Sequence, residues 1–329
     1  MAVGRVDSWH VLVQQAVYLV IVTAVLTEMF LVPDEPPAEG WKRFYYRHRL
    51  SLLSFFLGTL LNVYTLFFFK SSSLVVSFSF LLLMMVLLLL NEFGPFRWLG
   101  LSFKFALLSL CGLSFCATVV PIALGYVGVA VFIASMVVGC VPMAALAAWI
   151  RRRSPEQFPR ARKEILVPFG LILVAFLAAY LFRVIPPVPL SIPFIGVYHS
   201  VERKGDDYHL SHERPAWRFW QNGDQEFRAQ PGDRVFVYFR VFSPARFADE
   251  VRMQWFLHQG SSWVLQDTVP IKITGGRAEG FRGYGFKSKY QPGDWKVQVE
   301  TTDGREIGRI YFTLETAGTL PRSFAVDVQ

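Results

Sequence analysis

Two histidines three positions apart beside a glutamate, His209, His212 and Glu213, are the first residues in this sequence that could do chemistry. On a helix this spacing places both rings on one face, where they could ligate zinc. The order matches neither H-E-x-x-H nor H-x-x-E-H. The flanking segments Asp206-Asp207 and Arg214-Pro215 are typical of a loop or a strand, in which the two rings point to opposite faces. We therefore expect no metal site.

A stretch rich in aromatic and basic residues is the strongest candidate for a binding site. If residues 281–289 form a strand, Arg282, Tyr284 and Phe286 share one face, and Lys287 and Lys289 follow just beyond it. Aromatic rings beside cations suit a sugar ring, an anionic glycan or a carboxylate. A solvated sheet face, or a face packed on the membrane surface, would show the same pattern.

A second aromatic and basic cluster lies upstream. Trp217, Phe219 and Trp220 are flanked by Arg214 and Arg218. These rings either pack beneath the domain that carries them or lie at a membrane interface, where tryptophan is enriched.

Motifs for catalysis and cofactor binding are absent from the sequence. It contains no G-x-S-x-G, no Walker loop and no dinucleotide fingerprint. The glycines at 275–276 and 280–285 precede no predicted helix, so they indicate bulges or sheet corners. Cys111, Cys116 and Cys140 lie in apolar stretches and are expected to be small buried side chains. We predict no catalytic residue, metal or cofactor.

The elements that must carry these residues divide the chain into an apolar half and a polar half. Six apolar runs in residues 1–185 approach the ~20 residues that cross a bilayer. They are His10–Val32, Leu50–Lys70, Leu74–Asn91, two runs within Trp98–Ile150 that divide near Pro121 and Gly125, and Ile165–Phe182. We predict an all-α bundle of about six transmembrane helices over 1–185, a proline-rich linker over 186–198 and a second domain over 199–329.

Basic residues in the predicted loops orient the bundle. Residues 1–185 hold 15 Lys/Arg and 8 Asp/Glu, and residues 186–329 hold 18 and 17, so the net charge of +8 belongs to the apolar half. Residues 42–49 and 151–163 are rich in Lys/Arg and fall on one side of six spans, whereas only Arg5, Lys70 and Arg183 flank the other side. The positive-inside rule then places both termini outside the cytoplasm, in the periplasm of a bacterial inner membrane. The polar half is too nearly neutral to favour nucleic acid.

Two charges lie within the predicted spans. Glu28 and Lys104 are near the inner ends of their helices, and we predict that they pair across the bundle; separate snorkelling to the interface is the alternative. Mid-span polar groups are few, and the matched halves typical of transporters are not evident. This favours a bundle that anchors the chain and associates with partner helices or a second copy over one that conducts.

The polar half has a two-residue hydrophobic period. Alternate residues are apolar in 235–241, 251–258, 295–301 and 309–315. Each run predicts a strand with one buried face. Asp303-Gly304 between two such runs is a strong hairpin signal. We predict an all-β antiparallel sandwich, Ig-like, without a disulfide.

Several short motifs in the polar half occur together in a known family. They are Trp255, Gly275-Gly276-Arg277, Gly280-Phe281-Arg282, Lys287-Ser288-Lys289, Gly293-Asp294-Trp295-Lys296-Val297, and Asp303-Gly304 leading to Ile307-Gly308 and Phe312. With these motifs, the stretch from about Val251 to Leu314 resembles the bacterial family known as domain of unknown function 2914. The resemblance implies a domain at the end of a membrane-anchored or secreted chain, and it implies no activity and no catalytic residue.

These features predict a membrane-anchored binding or assembly module whose outer domain binds a protein, a glycan or another envelope component. Two alternatives stay open. A small transporter or channel would need polar residues that face one another inside the bundle. A membrane enzyme acting on a lipid or envelope substrate would use residues near the boundary of the two domains, with Arg183, His199, His209 and His212 as candidates.

Overall fold

A computed structural model describes residues 9–32, 40–71, 74–92, 100–185, 190–243, 248–274, 280–316 and 321–329. Two compact units make up the chain: a helical unit that ends at Val188 and a β unit that begins at Pro189. Arg5, the proline cluster at 186–189 and the motif Gly275-Gly276-Arg277 lie outside the described residues.

The helical unit consists of long apolar segments. Its helices are α1 (Trp9–Leu31), α2 (Trp41–Ser71), α3 (Leu74–Glu92), α4 (Leu101–Leu124), α5 (Val129–Arg153), α6 (Phe158–Ala161) and α7 (Val167–Leu181). A 3-10 turn (Pro155–Gln157) precedes α6, and a π-helical turn (Arg162–Leu166) joins α6 to α7. α4 packs against α1, α5 and α7 and is the centre of the unit.

Within the described residues, five helical segments are long and apolar enough to cross a membrane: α1, α2 as far as Phe69, α4, α5 and Pro155–Leu181. This count differs slightly from the predicted one of about six. α3 forms where the third apolar run was predicted, and its 19 residues span about 28 Å, close to the thickness of the hydrocarbon core.

The long apolar stretch before Ile150 divides where the sequence predicted. α4 ends at Leu124, and Gly125 follows in the left-handed conformation (φ 82°) with its N–H donating to the Pro121 carbonyl at 2.8 Å. Glycine adopts this conformation without the steric cost that a Cβ brings, which is why it ends helices. α5 then begins at Val129.

Glu28 on α1 has a different partner from the one predicted. Arg49 Nη1 lies 3.7 Å from Glu28 Oε1, and the Tyr45 hydroxyl donates to Glu28 Oε2 at 3.4 Å. The predicted partner, Lys104, is buried on α4. The guanidinium keeps its charge in apolar surroundings and offers five N–H donors, so it suits a half-buried carboxylate better than an ammonium does.

The β unit contains eleven strands in its described residues. They are β1 (Ser191–Tyr198), β2 (Ser200–Lys204), β3 (Asp207–His212), β4 (Glu226–Ala229), β5 (Val235–Phe242), β6 (Ala248–Gln259), β7 (Ser262–Thr274), β8 (Phe281–Lys287), β9 (Gly293–Thr301), β10 (Glu306–Thr316) and β11 (Ala325–Val328). β1 lies inside the segment predicted as a linker. Its Pro193 disguised the strand, and the pairing of β1 with β5 is irregular between Ser191 and Phe194, where proline is tolerated.

The strands form three sheets, ordered β1-β5-β8, β4-β10-β9-β6-β7 and β11-β3-β2. All pairings are antiparallel except β4 with β10, which is parallel. The predicted alternation is confirmed: the apolar positions of β5, β6, β9 and β10 are buried along one face of each strand. Asp303-Gly304 turns β9 into β10, with Gly304 at φ 77°.

The buried faces of the first two sheets meet at glycines. A Cβ placed on Gly285 of β8 would lie 2.8 Å from Met253 Sδ of β6, and a Cβ on Gly308 of β10 would lie 3.2 Å from the Ile192 side chain of β1. Trp255 is buried between strands of this core. Larger residues at these two glycines would push the sheets apart.

Candidate functional site

The predicted face of β8 is part of a larger aromatic surface. Tyr284 and Phe286 are 44% and 47% exposed, and their strand pairs with β5 so that Phe286 lies opposite Phe236. The Phe236 ring centroid is 5.5 Å from that of Phe286 and 6.3 Å from that of Tyr284. We call Phe236, Tyr284 and Phe286 the aromatic row.

Cations lie at both ends of the aromatic row. Arg234 lies over the Phe286 ring, 5.0 Å from its centroid. Arg282 lies two residues before Tyr284, on the same face of β8. Its guanidinium donates a hydrogen bond to the Asp206 carbonyl, which holds it beside the row. An aromatic surface with guanidinium groups at its ends can stack a flat or cyclic ligand and neutralise its negative charge.

The β2–β3 hairpin limits the row on one side. The Tyr208 ring on β3 lies 6.3 Å from Tyr284 and 5.4 Å from Tyr238 on β5. Tyr238, Tyr198 and Leu210 form a buried cluster beneath it. The row is therefore the exposed continuation of a packed core, so its rings are held in place before any ligand arrives.

Lys287 does not belong to this face. Successive side chains of a strand alternate, and Lys287 shares the opposite face with Gly283 and Gly285. Its ammonium forms an ion pair with Asp267 on β7 and lies 5.6 Å from the Trp295 ring centroid. The expectation that it extends the binding face is corrected accordingly. Lys289 is exposed in the bend that follows β8.

The upstream aromatics occupy a loop between β3 and β4. The indole rings of Trp217 and Trp220 are in edge contact at 5.6 Å, and Phe219 contacts Trp220 at 5.3 Å. All three are exposed, so they do not pack beneath the β unit. Arg218 lies 4.9 Å from the Trp217 ring and 2.6 Å from the Glu226 carboxylate. We call Trp217, Phe219 and Trp220 the aromatic loop.

A buried charged cluster, which sequence reasoning missed, closes the base of the aromatic loop. His199 Nε2 lies 3.5 Å from Asp224 Oδ2 and 3.7 Å from Glu213 Oε2. Arg322 Nη1 lies 2.6 Å from Asp233 Oδ2, and its Nε is 3.4 Å from Glu213 Oε1. These residues come from five separate segments, so no local motif in the sequence could have revealed them.

Burial shifts two pKa values of the cluster in opposite directions. It raises the pKa of Asp224 from 3.8 to about 6, and, together with the charge of Arg322, it lowers the pKa of His199 from 6.5 to about 4. The His199 ring stacks on Phe227 with centroids 4.0 Å apart. A neutral imidazole beside a partly protonated carboxyl is the form that this apolar packing favours.

A cavity of about 360 Å³ lies beside the cluster. Four arginines and three acidic residues line it, among them Arg214, Arg322, Glu213 and Asp224. Most of these charges form ion pairs, such as Arg322 with Asp233 and Arg218 with Glu226. The arrangement braces the loop with ion pairs and leaves little unmatched charge for a ligand.

The remaining enzyme candidates of the β unit are His209 and His212, and His212 lies close enough to interact electrostatically with His199 and Asp224. In the strand β3, His209 and His212 face opposite ways, as predicted, and His212 Nε2 lies 3.2 Å from Asp327 Oδ1 on β11. Arg183 follows the last helix with a left-handed backbone (φ 58°). Within the described residues, no group of three or more His, Cys, Asp or Glu side chains is arranged to hold a metal ion.

The fold and these surfaces define a class: an all-β unit with an exposed aromatic and cationic face, joined to a unit of long apolar helices. Residues 248–314, from the start of β6 into β10, match the model of the family described as Protein of unknown function (DUF2914). The resemblance of the C-terminal part to this family is thereby confirmed. The match includes Tyr284 and Phe286, and it covers neither the helical unit nor the aromatic loop.

Two solved structures were compared with the chain. One is a β-glucosidase from Listeria innocua in complex with glucose, 11% identical over 35% of this chain and 16% of that chain, with a TM-score of 0.21. The other is the Pseudomonas fluorescens alkylpurine DNA glycosylase AlkC bound to DNA containing an abasic site analog, 11% identical over 92% of this chain and 77% of that chain, with a TM-score of 0.23. Scores this low carry no argument about fold or function. A comparison with curated proteins found no match.

Proposed function

We propose that this protein is a membrane-anchored binding module of a bacterial inner membrane, whose β unit lies in the periplasm and binds an anionic glycan of the cell envelope. The five apolar helices support membrane insertion. Arg151, Arg152 and Arg153 end α5, and this basic terminus supports a cytoplasmic location for that end of the helix. We count the 19-residue α3 (Leu74–Glu92) as a sixth span, which puts both chain termini outside the cytoplasm. Association with partner helices or a second copy is the role left for the bundle.

Hydroxyl groups within the helices support an anchoring role over a conducting one. Thr23, Thr65, Ser109, Thr118 and Ser135 each donate to the carbonyl four residues earlier in their own helix, at 2.6–2.9 Å. Each of these hydroxyl protons is engaged within its own helix and does not bridge to a neighbouring helix. A transporter would present polar groups across the bundle instead.

The finer architecture of the β unit is also part of the proposal. The close approach of Gly285 to Met253 and of Gly308 to Ile192 supports a sandwich of the β1-β5-β8 and β4-β10-β9-β6-β7 sheets, Ig-like in outline. A sandwich turns the face that carries Tyr284 and Phe286 away from the other large sheet, where both rings are exposed and can bind a ligand.

The aromatic row is the observation that carries the glycan proposal. The Phe236 ring on β5 lies 6.3 Å from Tyr284 and 5.5 Å from Phe286 on β8, with Arg234 stacked at one end of the row and Arg282 fixed at the other. Sugar rings can stack on such a surface while the guanidinium groups meet their carboxylates.

Binding of an acidic polysaccharide tests the proposal. Full-length protein in detergent is titrated with polygalacturonate, with dextran as the uncharged comparison. Tyr284→Ala removes one ring, and we expect a loss of about 1 kcal/mol, or about fivefold in Kd. Tyr311→Ala is the matched control, because Tyr311 is equally exposed (44%) but lies on β10.

Two results would contradict the glycan proposal. One is equal binding by Tyr284→Ala and Tyr311→Ala. The other is the absence of polygalacturonate binding by the wild-type chain. Arg234→Gln separates the contribution of charge from that of ring stacking. It should weaken polygalacturonate binding and should also make that binding less dependent on salt concentration.

A further inference from the structure

The aromatic loop exposes more apolar surface than any other part of the described β unit. Phe219 is 81% exposed, and Trp217 and Trp220 are each 61% exposed. Among the described residues, every other large apolar side chain at least 61% exposed lies in the helical unit, as Val20 (68%) and Leu171 (66%) do. The three rings of the loop are thus exposed to the degree that this chain otherwise shows only on its apolar helices.

The loop that carries these rings is braced by hydrogen bonds. Two turns form it, with the Arg218 N–H donating to the Pro215 carbonyl at 3.0 Å and the Gln221 N–H donating to the Arg218 carbonyl at 3.1 Å. Arg214 reaches across the loop and donates to the carbonyls of Arg218 and Gln221. Rings held on such a scaffold stay exposed because they cannot fold back onto the β unit.

The base of the loop is fixed just as firmly. Asp224 accepts a hydrogen bond from the Glu213 N–H at 2.8 Å and donates its own N–H to the Val197 carbonyl at 2.7 Å. Gly223 bridges to Val197, and the Asn222 side chain donates to the Ile195 carbonyl at 3.1 Å. A preorganised loop loses little conformational entropy when it binds.

We infer that the aromatic loop inserts into the headgroup region of the lipid bilayer and so attaches the β unit to the membrane surface. The inference rests on the proposed membrane location of the chain. Tryptophan is enriched at the membrane interface because an amphipathic indole suits the headgroup level.

The chemistry of the loop favours lipid over a protein partner. Its rings lie on tight turns, and residues 213–222 include no strand edge that a peptide could extend. The helices keep a bilayer permanently available to the β unit at high effective concentration. Even the modest free energy of burying three aromatic side chains in the interface is then enough to hold the loop there.

Depth measurement by electron paramagnetic resonance tests the inference. The full-length protein, with Cys111, Cys116 and Cys140 replaced by alanine, carries one spin label at Phe219→Cys in nanodiscs containing an anionic phospholipid. We expect a higher ratio of collisions with oxygen to collisions with a water-soluble nickel complex at position 219 than at Thr302→Cys, in the exposed β9–β10 turn. Trp217→Ser/Trp220→Ser should return the ratio at position 219 toward the value at position 302.

A third label separates this inference from the proposal on which it rests. Leu171→Cys reports whether α7 lies in the bilayer. If position 171 shows lipid depth and position 219 is as accessible to the nickel complex as position 302, the loop does not enter the membrane and the inference is overturned. If position 171 itself shows no lipid depth, the proposed membrane location fails. Apart from their scaffold belt the nanodiscs contain only this protein, so lipid depth at position 219 does not arise from an envelope partner.

Discussion

The Asp224–His199 contact predicts opposite pH dependences in two single variants. Because the pKa of Asp224 is raised from 3.8 to about 6, its contribution to stability is fully present below pH 3.8 and is lost as the pH rises through 6. Because the pKa of His199 is lowered from 6.5 to about 4, its contribution is present above pH 6.5 and is lost as the pH falls through 4. The two contributions therefore oppose each other over the same range.

The magnitudes nearly cancel. A pKa shift converts to free energy at about 1.4 kcal/mol per unit, so each group contributes about 3 kcal/mol across its range. In the wild-type chain these two groups leave the free energy of unfolding of the β unit almost unchanged between pH 7 and pH 4. Asp224→Asn leaves His199 unopposed and should cost about 3 kcal/mol on acidification over this range. His199→Gln leaves Asp224 unopposed and should gain a similar amount.

Hydrogen exchange of the full-length protein in detergent measures the free energy of unfolding of the β unit alone. The buried amides of β5 and β9 exchange only when the β unit opens, so their protection gives its free energy of opening at each pH. The difference between variant and wild type isolates the substituted group, since every other titrating residue contributes to both. A profile for Asp224→Asn that runs parallel to that of the wild type from pH 7 to pH 4 would refute the assignment.

Two further predictions concern packing. Gly223→Ala should destabilise the β unit by well over the ~1 kcal/mol that a left-handed alanine costs, because the new Cβ would lie 1.9 Å from the Val197 carbonyl oxygen. The matched control is Gly205→Ala (φ 65°, nothing within 4 Å), which should cost only that ~1 kcal/mol. Equal losses of hydrogen-exchange protection in the two variants would contradict this explanation. Arg49→Met should lower the melting temperature of the full chain in detergent more than Glu28→Gln/Arg49→Met does, because the single variant leaves a half-buried carboxylate unpaired. The reverse order would refute the pairing.

Features with a strong local cause were predictable from the sequence. The long apolar runs become helices because the backbone must satisfy its own hydrogen bonds in an apolar environment. Gly125 divides the run before Ile150 because it alone adopts a left-handed conformation there without a steric cost. The alternation in β5, β6, β9 and β10 predicts their buried faces because the side-chain period of a strand is two.

Features that depend on how strands and helices pair were not predictable from the sequence. The exposed face of Arg282, Tyr284 and Phe286 follows from alternation, but Phe236 and Arg234 join it only through the register of β5 on β8. Lys287 was expected to extend the binding face from just beyond it, but β8 continues through Lys287 and alternation turns this side chain to the opposite face, toward Asp267. The partner of Glu28 likewise depends on how α1 packs on α2.

By itself, then, the sequence determined the division of the chain into an apolar helical part and a β part, the candidate rings and cations, and the resemblance of about Val251 to Leu314 to a family of unknown function. Periodicity, turn chemistry and composition are local, and they survive without knowledge of the fold. Only the tertiary structure decided which side chains meet. It assembled the aromatic row from two strands, braced the aromatic loop, and gathered His199, Asp224 and Arg322 from distant segments into one buried cluster. Contacts between residues far apart in sequence depend on strand register and sheet packing, which no local pattern encodes.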